Sequence, residues 1–76
     1  MRKLKEVRLA KGLAQKQWAD SANINIRVLQ HYEQGTKNFD HARLDTLLKI
    51  CLALDCKLAE IIENEEYIDL LHKYEA

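Results

Sequence analysis

The chain contains very few residues that break a helix, and this feature most constrains its fold. Among its 76 residues there is no proline, and the only glycines are Gly12 and Gly35. Apolar side chains recur at intervals of three and four residues, which is the spacing of one face of an α-helix. Such a chain favours helices joined by short turns over sheets. We therefore expect an all-α domain.

Local signals divide the chain into five helices and a C-terminal tail helix. Gly12 and Gly35 suit the left-handed position that follows a helix, and Asn23 tolerates the same backbone conformation. Asn25 and Asp40 are good N-cap residues for the helices after them. The expected helices cover residues 2–11, 15–22, 26–34, 41–54 and a short stretch at 58–62. We expect one domain over residues 1–64 and an amphipathic tail helix over residues 65–76.

The fourth expected helix carries the strongest periodic signal in the sequence. Its apolar residues at i, i+3, i+4, i+7 and i+8 are Leu44, Leu47, Leu48, Cys51 and Leu52. We expect this stripe to supply much of the core.

The net charge of zero conceals a difference between the two halves of the chain. Residues 1–37 carry eight basic and three acidic side chains, a net charge of +5, whereas residues 38–76 carry four basic and nine acidic ones, a net charge of −5. This asymmetry is typical of a chain whose basic half contacts nucleic acid, although chance clustering on a solvated surface gives the same pattern.

Other signals narrow the functional classes. Cys51 and Cys56 lie five residues apart, about 140° around a helix, so we expect two reduced thiols that do not share a face, with no metal site and no cofactor. The longest apolar run, residues 50–54, is too short to span a bilayer, and the basic start does not lead into a signal peptide, so we expect a cytoplasmic protein. No catalytic arrangement or glycine-rich phosphate loop is recognisable, so we do not expect an enzyme.

The third expected helix, residues 26–34, divides into two faces. The apolar face, which should pack on the core, comprises Val28, Leu29 and Tyr32. The opposite face carries polar side chains at i, i+3, i+4 and i+7, which are Arg27, Gln30, His31 and Gln34. Arginine prefers guanine and glutamine prefers adenine, and Ile26 suits a thymine methyl. An ordinary solvated face would show the same pattern.

Residues 4–62 resemble the phage-repressor and Cro type of helix-turn-helix, a large bacterial group also called the xenobiotic-response-element family. The resemblance lies in LKEVRLAKGLAQKQWADSANINIRVLQHYEQGTKN, followed by LDTLLKICLALDCKLAEII. It implies a compact five-helix, lambda-repressor-like domain, here with an extra short C-terminal helix. Its helix-turn-helix would span about residues 15–34, with the third helix in the major groove of double-stranded DNA.

The resemblance also implies a role for individual residues in a sequence-specific transcriptional regulator. Base contacts would come from Ile26, Arg27, Gln30 and His31. Phosphate contacts would come from Gln15, Gln17 and residues 34–38, which include Gln34, Lys37 and Asn38. Arg8 and Glu33 correspond to a structural ion pair. Lys16 and Lys37 would add sequence-independent affinity.

Three residues depart from the usual pattern of this family. Ala14 replaces a serine or threonine, so the second helix lacks a side-chain N-cap, at a cost of about 1 kcal/mol. Trp18 replaces a leucine and places a bulkier ring in a small core. Asn23 replaces the usual turn glycine, which is the mildest change.

The expected partners are double-stranded DNA and a second copy of the chain, since one recognition helix reads too few base pairs for useful specificity. The candidate dimer surface is the apolar stripe of the tail, which comprises Tyr67, Ile68, Leu71 and Tyr74. The same stripe would alternatively fold back and complete the monomer core. Another functional alternative is a protein-interaction module, or an antitoxin that binds a protein partner such as a toxin, with or without DNA.

Overall fold

Glycine and asparagine residues set several helix boundaries in the computed structural model, which describes residues 2–76. The α-helices are α1 (Lys3–Ala10), α2 (Gln15–Ala22), α3 (Ile26–Gln34), α4 (Leu44–Leu54) and α5 (Glu65–Glu75), and short 3-10 turns cover Phe39–His41 and Leu58–Glu60. No strand occurs in residues 2–76. The expected all-α fold class is therefore confirmed.

The turns that separate the first three helices follow from their residue types. Gly12, Asn23 and Gly35 all have left-handed backbone conformations, with φ of 71°, 56° and 83°. The side chain of Asn25 caps α3, because its Oδ1 accepts a hydrogen bond from the Arg27 N–H at 2.8 Å. Ala14 offers α2 no such cap. These local signals are sufficient to position α2 and α3 in the sequence.

The region after α3 differs from the expectation. α4 begins at Leu44 and not at residue 41, and Asp40 does not cap it. The Asn38 Oδ1 accepts a hydrogen bond from the Asp40 N–H at 3.0 Å, which holds Phe39–His41 in a separate 3-10 turn. The Asp40 carboxylate instead accepts hydrogen bonds from the N–H groups of Glu63 at 3.0 Å and Asn64 at 2.9 Å. The short helix expected at residues 58–62 is only a 3-10 turn, so α5 is the fifth α-helix.

The core lies between α2, α3 and α4, and α2 packs against both of the others. Its largest member is Trp18, which is completely buried. The Trp18 Nε1 has no hydrogen-bond partner among residues 2–76. A buried donor of this kind costs about 1–3 kcal/mol. The core therefore accommodates the bulky ring of Trp18 but leaves its N–H unsatisfied.

α4 presents a different face to the core from the one its periodicity predicts. The buried side chains of α4 are Leu47, Ile50, Cys51 and Leu54. Leu44, Leu48 and Leu52 are exposed by 66%, 47% and 81%. Because α2 and the Leu58–Glu60 turn both pack against α4, the buried face is the one between them. Three members of the expected stripe therefore do not belong to the core.

α5 folds back onto the rest of the molecule. Tyr67, Ile68 and Leu71 are half-buried and pack against the core, whereas Leu70 is 54% and Tyr74 is 87% exposed. The radius of gyration of 11.7 Å matches the value of about 11 Å expected for a compact chain of this length. No helix among the described residues has the length and apolar character needed to cross a membrane.

Cys51 and Cys56 do not lie on one helix, so the separation expected from helical geometry does not apply to their side chains. α4 ends at Leu54, and Asp55 adopts a left-handed conformation that turns the chain back. The Cys56 N–H then donates to the Cys51 carbonyl at 3.1 Å, and each thiol influences the pKa of the other. Both are free thiols. Residues 2–76 contain no group of three or more side chains suited to hold a metal ion.

Candidate nucleic-acid interface

The polar residues of α3 occupy the side of the helix that faces away from the core. Arg27, His31 and Gln34 are exposed and Gln30 is half-buried, whereas Leu29 is completely buried. Ile26 is half-buried and packs against the core, so only part of its side chain faces outward. The structure therefore brings the four expected polar residues onto one accessible surface.

A buried ion pair anchors the back of α3 to α1. The Arg8 Nε donates to Glu33 Oε2 at 2.7 Å, and Arg8 Nη2 donates to Glu33 Oε1 at 3.2 Å. The Arg8 Nη1 donates to the Leu13 carbonyl at 2.8 Å. The two charged side chains are only 8% and 3% exposed. This two-bond pairing fixes the C-terminal turn of α3 with a defined geometry.

The ion pair also fixes two glutamines that were assigned to DNA contact. Gln15 Nε2 donates to Glu33 Oε1 at 2.8 Å, and Gln30 Nε2 donates to Gln15 Oε1 at 3.2 Å. A continuous chain of hydrogen bonds thus runs from Arg8 through Glu33 and Gln15 to Gln30. Gln30 retains its carbonyl oxygen and one amide hydrogen for another partner.

His31 is oriented by the turn that follows α3. The Thr36 hydroxyl donates to the His31 carbonyl at 3.2 Å, and the His31 Nδ1 lies 2.7 Å from the same hydroxyl oxygen. The contact occupies Nδ1 whichever of the two atoms carries the hydrogen. The His31 Nε2 is left to face outward.

The residues assigned to phosphates lie at two places. Gln17 is exposed near the start of α2, and its Oε1 accepts a hydrogen bond from the Ala14 N–H at 3.0 Å. Gln34, Lys37 and Asn38 are exposed at the end of α3 and in the loop that follows. The carboxamide of Asn38 is partly used, since its oxygen holds the next turn.

Sequence reasoning missed Arg2 at this surface. Its guanidinium lies over the Cα of Gly35, so a Cβ at that position would come within 2.7 Å of Arg2 Cζ. Arg2 also lines an open groove with Lys5, Gln34 and Glu63. The contact joins the first described residue to the end of α3, and no local pattern in the sequence marks it.

A comparison with models of protein families identifies the family to which this helical domain belongs. A family model for the Cro/C1-type HTH DNA-binding domain matches residues 3–66. Neither the curated proteins nor the solved structures gave a match. The matched residues include all of α1 to α4 and the ion pair behind α3. The resemblance seen in the sequence is confirmed, and the chain belongs to the family of Cro/C1-type helix-turn-helix DNA-binding domains.

Proposed function

We propose that this DNA-binding regulator recognises a specific double-stranded sequence by inserting α3 into the major groove. The observation that carries the proposal is the accessible polar face of α3, opposite a fully buried Leu29 and the buried Arg8–Glu33 pair. A major groove about 12 Å wide admits one helix. A helix fixed from behind can hold its polar side chains in register with base edges.

Among the side chains proposed to contact bases, that of Gln30 is the most preorganised. Its side chain is held by Gln15, so part of the entropy cost of ordering it is already met before DNA binds. Adenine offers an acceptor at N7 and a donor at N6, which match the amide hydrogen and the carbonyl oxygen that Gln30 retains. Arg27 suits guanine, His31 offers Nε2, and the outer part of Ile26 suits a thymine methyl.

Phosphate groups of the DNA backbone would bind at two places that flank these base-contacting side chains. The start of α2 offers backbone N–H groups together with Gln15, Lys16 and Gln17. The end of α3 offers a second group, which comprises Gln34, Lys37, Asn38 and, in addition to the residues assigned from sequence, Arg2. Such contacts set the position of the domain on the duplex and supply its salt-dependent affinity.

The chain would act as a homodimer, because two-fold dimers of this motif read half-sites about 34 Å apart. The tail stripe is one candidate for the contact. Within that stripe Tyr67, Ile68 and Leu71 already pack on their own core, so a contribution from the tail would come from Tyr74 and the neighbouring Leu70.

Selection of genomic DNA fragments by the purified protein, at a fixed salt concentration, tests this function. We expect enrichment of a palindrome whose half-sites lie about one helical turn apart. The control is the double variant Arg27→Ala, Gln30→Ala, which should retain non-specific binding and lose the enrichment. Binding without any common sequence would refute specific readout, and retention of no DNA with capture of a protein would favour the interaction-module alternative.

A further inference from the structure

We infer that the exposed leucines of α4 form the contact between two copies of the chain, with the two α4 helices side by side and antiparallel. We call Leu44, Leu48 and Leu52 the leucine stripe. The inference deepens the proposed function, since it rests on the homodimer proposed above and names the surface that would form it.

The leucine stripe is a continuous apolar surface outside the core of the monomer. Its members lie at i, i+4 and i+8, so each is the neighbour of the next along one side of α4. They are 66%, 47% and 81% exposed, although α4 buries four other side chains in the core. Single exposed leucines are ordinary, but an adjacent row of them is typical of a surface that binds another protein.

The charged residues beside the leucine stripe suit the pairing of two copies of the same surface. Asp45 and Lys49 are both exposed and lie one turn apart along the same flank of α4. A two-fold axis at Leu48 would place Leu44 of each copy opposite Leu52 of the other. In the antiparallel arrangement that axis keeps both flanks on one edge, so Asp45 of each copy lies about 3 Å along the helix axis from Lys49 of the other. Asp45 also bonds Arg43 of its own chain at 3.2 Å, an exposed contact that Lys49 of the other copy would share or replace. A closed two-fold interface requires this self-complementarity.

Charge also favours α4 over the tail as the contact. The exposed side of α5 carries Glu65, Glu66, Asp69 and Glu75 against only Lys73 and His72. Two copies meeting through α5 would bring carboxylates together, whereas the single carboxylate of α4, that of Asp45, is accompanied by the cations Lys49 and Arg43. Within the acidic half of the chain, the leucine stripe is thus the surface on which two copies approach with least repulsion.

The size of the contact predicts a weak dimer. α4 has 11 residues and is about 16 Å long. Two such helices side by side bury less than the roughly 800 Å² per partner of a standard stable interface. We therefore expect association in the micromolar range in solution, completed when both copies occupy one palindrome.

Sedimentation of the full chain over a micromolar concentration series tests the inference, with Leu48→Lys as the variant and Leu70→Lys as the matched control. The parent and Leu70→Lys should dimerise, and Leu48→Lys should remain monomeric with an unchanged circular dichroism spectrum. Leu48→Lys should also bind a palindrome about a hundredfold more weakly while binding an isolated half-site normally. Dimerisation of Leu48→Lys like the parent, or a parent that stays monomeric both free and on a palindrome, would overturn the inference.

A charge exchange tests the antiparallel arrangement. Asp45→Lys and Lys49→Asp should each weaken dimerisation several-fold, and the double exchange should restore it, since opposite charges then meet again. A double variant no better than the singles would refute this geometry. Loss of dimerisation in Leu70→Lys alone would assign the contact to α5. If the protein dimerises through the leucine stripe but binds no DNA, the proposed function fails and the inference stands.

Discussion

Three nitrogen donors converge on the carboxylate of Glu33, two from Arg8 and one from Gln15. The carboxylate is almost completely buried. Its negative charge is tolerable there only because these donors replace water. The same residue holds α3 in place and, through Gln15, orients Gln30. A change at Glu33 is therefore expected to affect both stability and readout.

The first prediction concerns this ion pair. Arg8→Ala or Glu33→Ala should lower the free energy of unfolding by about 3–5 kcal/mol, because the remaining charge stays buried without a partner. Urea unfolding of both singles and the double gives the coupling energy, which should exceed the roughly 1 kcal/mol limit of exposed pairs. The control cycle uses Arg43 and Asp45, an ion pair whose side chains are 86% and 53% exposed. Equal coupling in the two cycles would contradict the prediction.

The second prediction separates readout from folding. Arg27→Ala and Gln30→Ala should each weaken binding to the selected site by about 1–3 kcal/mol and leave helicity unchanged. Leu29→Ala should instead lower stability by about 2–5 kcal/mol, because it opens a cavity in the core. Binding titrations and thermal melts distinguish these outcomes. Parent-like affinity in both polar variants would show that another face meets the DNA.

The third prediction concerns Arg2. If its guanidinium binds a phosphate, Arg2→Ala should weaken binding equally for all sequences and reduce the slope of log affinity against log salt by about 1. Titrations of an isolated half-site at several salt concentrations measure the slope. Arg43→Ala serves as the control, because this exposed arginine lies before α4, outside the proposed interface. An unchanged slope would leave Arg2 as a contact of Gly35 only.

At the scale of helices, local sequence predicts boundaries well where a single residue decides them. Asn23 ends α2, and Asn25 and Gly35 begin and end α3, as the sequence predicts. The start of α4 could not be predicted in this way, because the Asp40 carboxylate is taken by residues 63 and 64. The face of α4 was also not predictable from periodicity, since α2 and the Leu58–Glu60 turn decide which leucines are covered.

The candidate site likewise combines features that local sequence predicts with features that depend on tertiary packing. The polar face of α3 follows from periodicity alone, because residues at helical spacing share a side whatever packs behind them. The contact between Gln15 and Gln30 depends on how α2 crosses α3, and the contact between Arg2 and Gly35 depends on how α1 meets α3. Both require the tertiary structure, so sequence patterns could not reveal them.

The fourth prediction concerns the end of α4. Burial raises the pKa of Cys51 from its ordinary value of 9.0 to about 12, and the neighbouring Cys56 adds to the shift. Burial also raises the pKa of Cys56. In the unfolded chain Cys51 loses its proton near pH 9, whereas in the folded chain it does so near pH 12. The neutral thiol therefore contributes stability at neutral pH that is lost as pH rises through this window.

The measurement is urea unfolding of the parent and of Cys51→Ala between neutral pH and about pH 11. Cys51→Ala should be less stable at neutral pH but should lose less stability as the pH rises. At neutral pH, a thiol reagent should modify Cys56 before the fully packed Cys51. Parallel pH profiles for parent and variant would contradict the assigned pKa.

At the scale of the whole molecule, charge and packing divide the chain between two tasks. The basic half holds all the proposed DNA contacts except Asn38, and the acidic half holds the leucine stripe and α5. α5 contributes three half-buried side chains to the core. The tail is consequently part of the folded body and not an appendage to it.

The fifth prediction follows for a chain shortened after Asn64. Loss of Tyr67, Ile68 and Leu71 should remove about 1 kcal/mol each, given half-burial. A total of that size should lower the Tm by about 10–20 °C in so small a domain. Thermal melts measured by circular dichroism check this, with Tyr74→Ser, at an exposed position of α5, as the control. The shortened chain should still dimerise, and an unchanged Tm would show that α5 contributes nothing to stability.

The double hydrogen bond at Asp40 has a mechanical consequence. Its carboxylate accepts hydrogen bonds from the backbone N–H groups of Glu63 and Asn64, and Asn64 is the residue that caps α5. α5 is thus held at its start by Asp40 and along one side by the packing of Tyr67, Ile68 and Leu71, which leaves its last turn, around Tyr74, exposed. Asp40 lies two residues beyond Asn38, at the end of the loop proposed to hold a phosphate. A shift of that loop on DNA binding would therefore also move the Asp40 carboxylate and, with it, the backbone at which α5 begins.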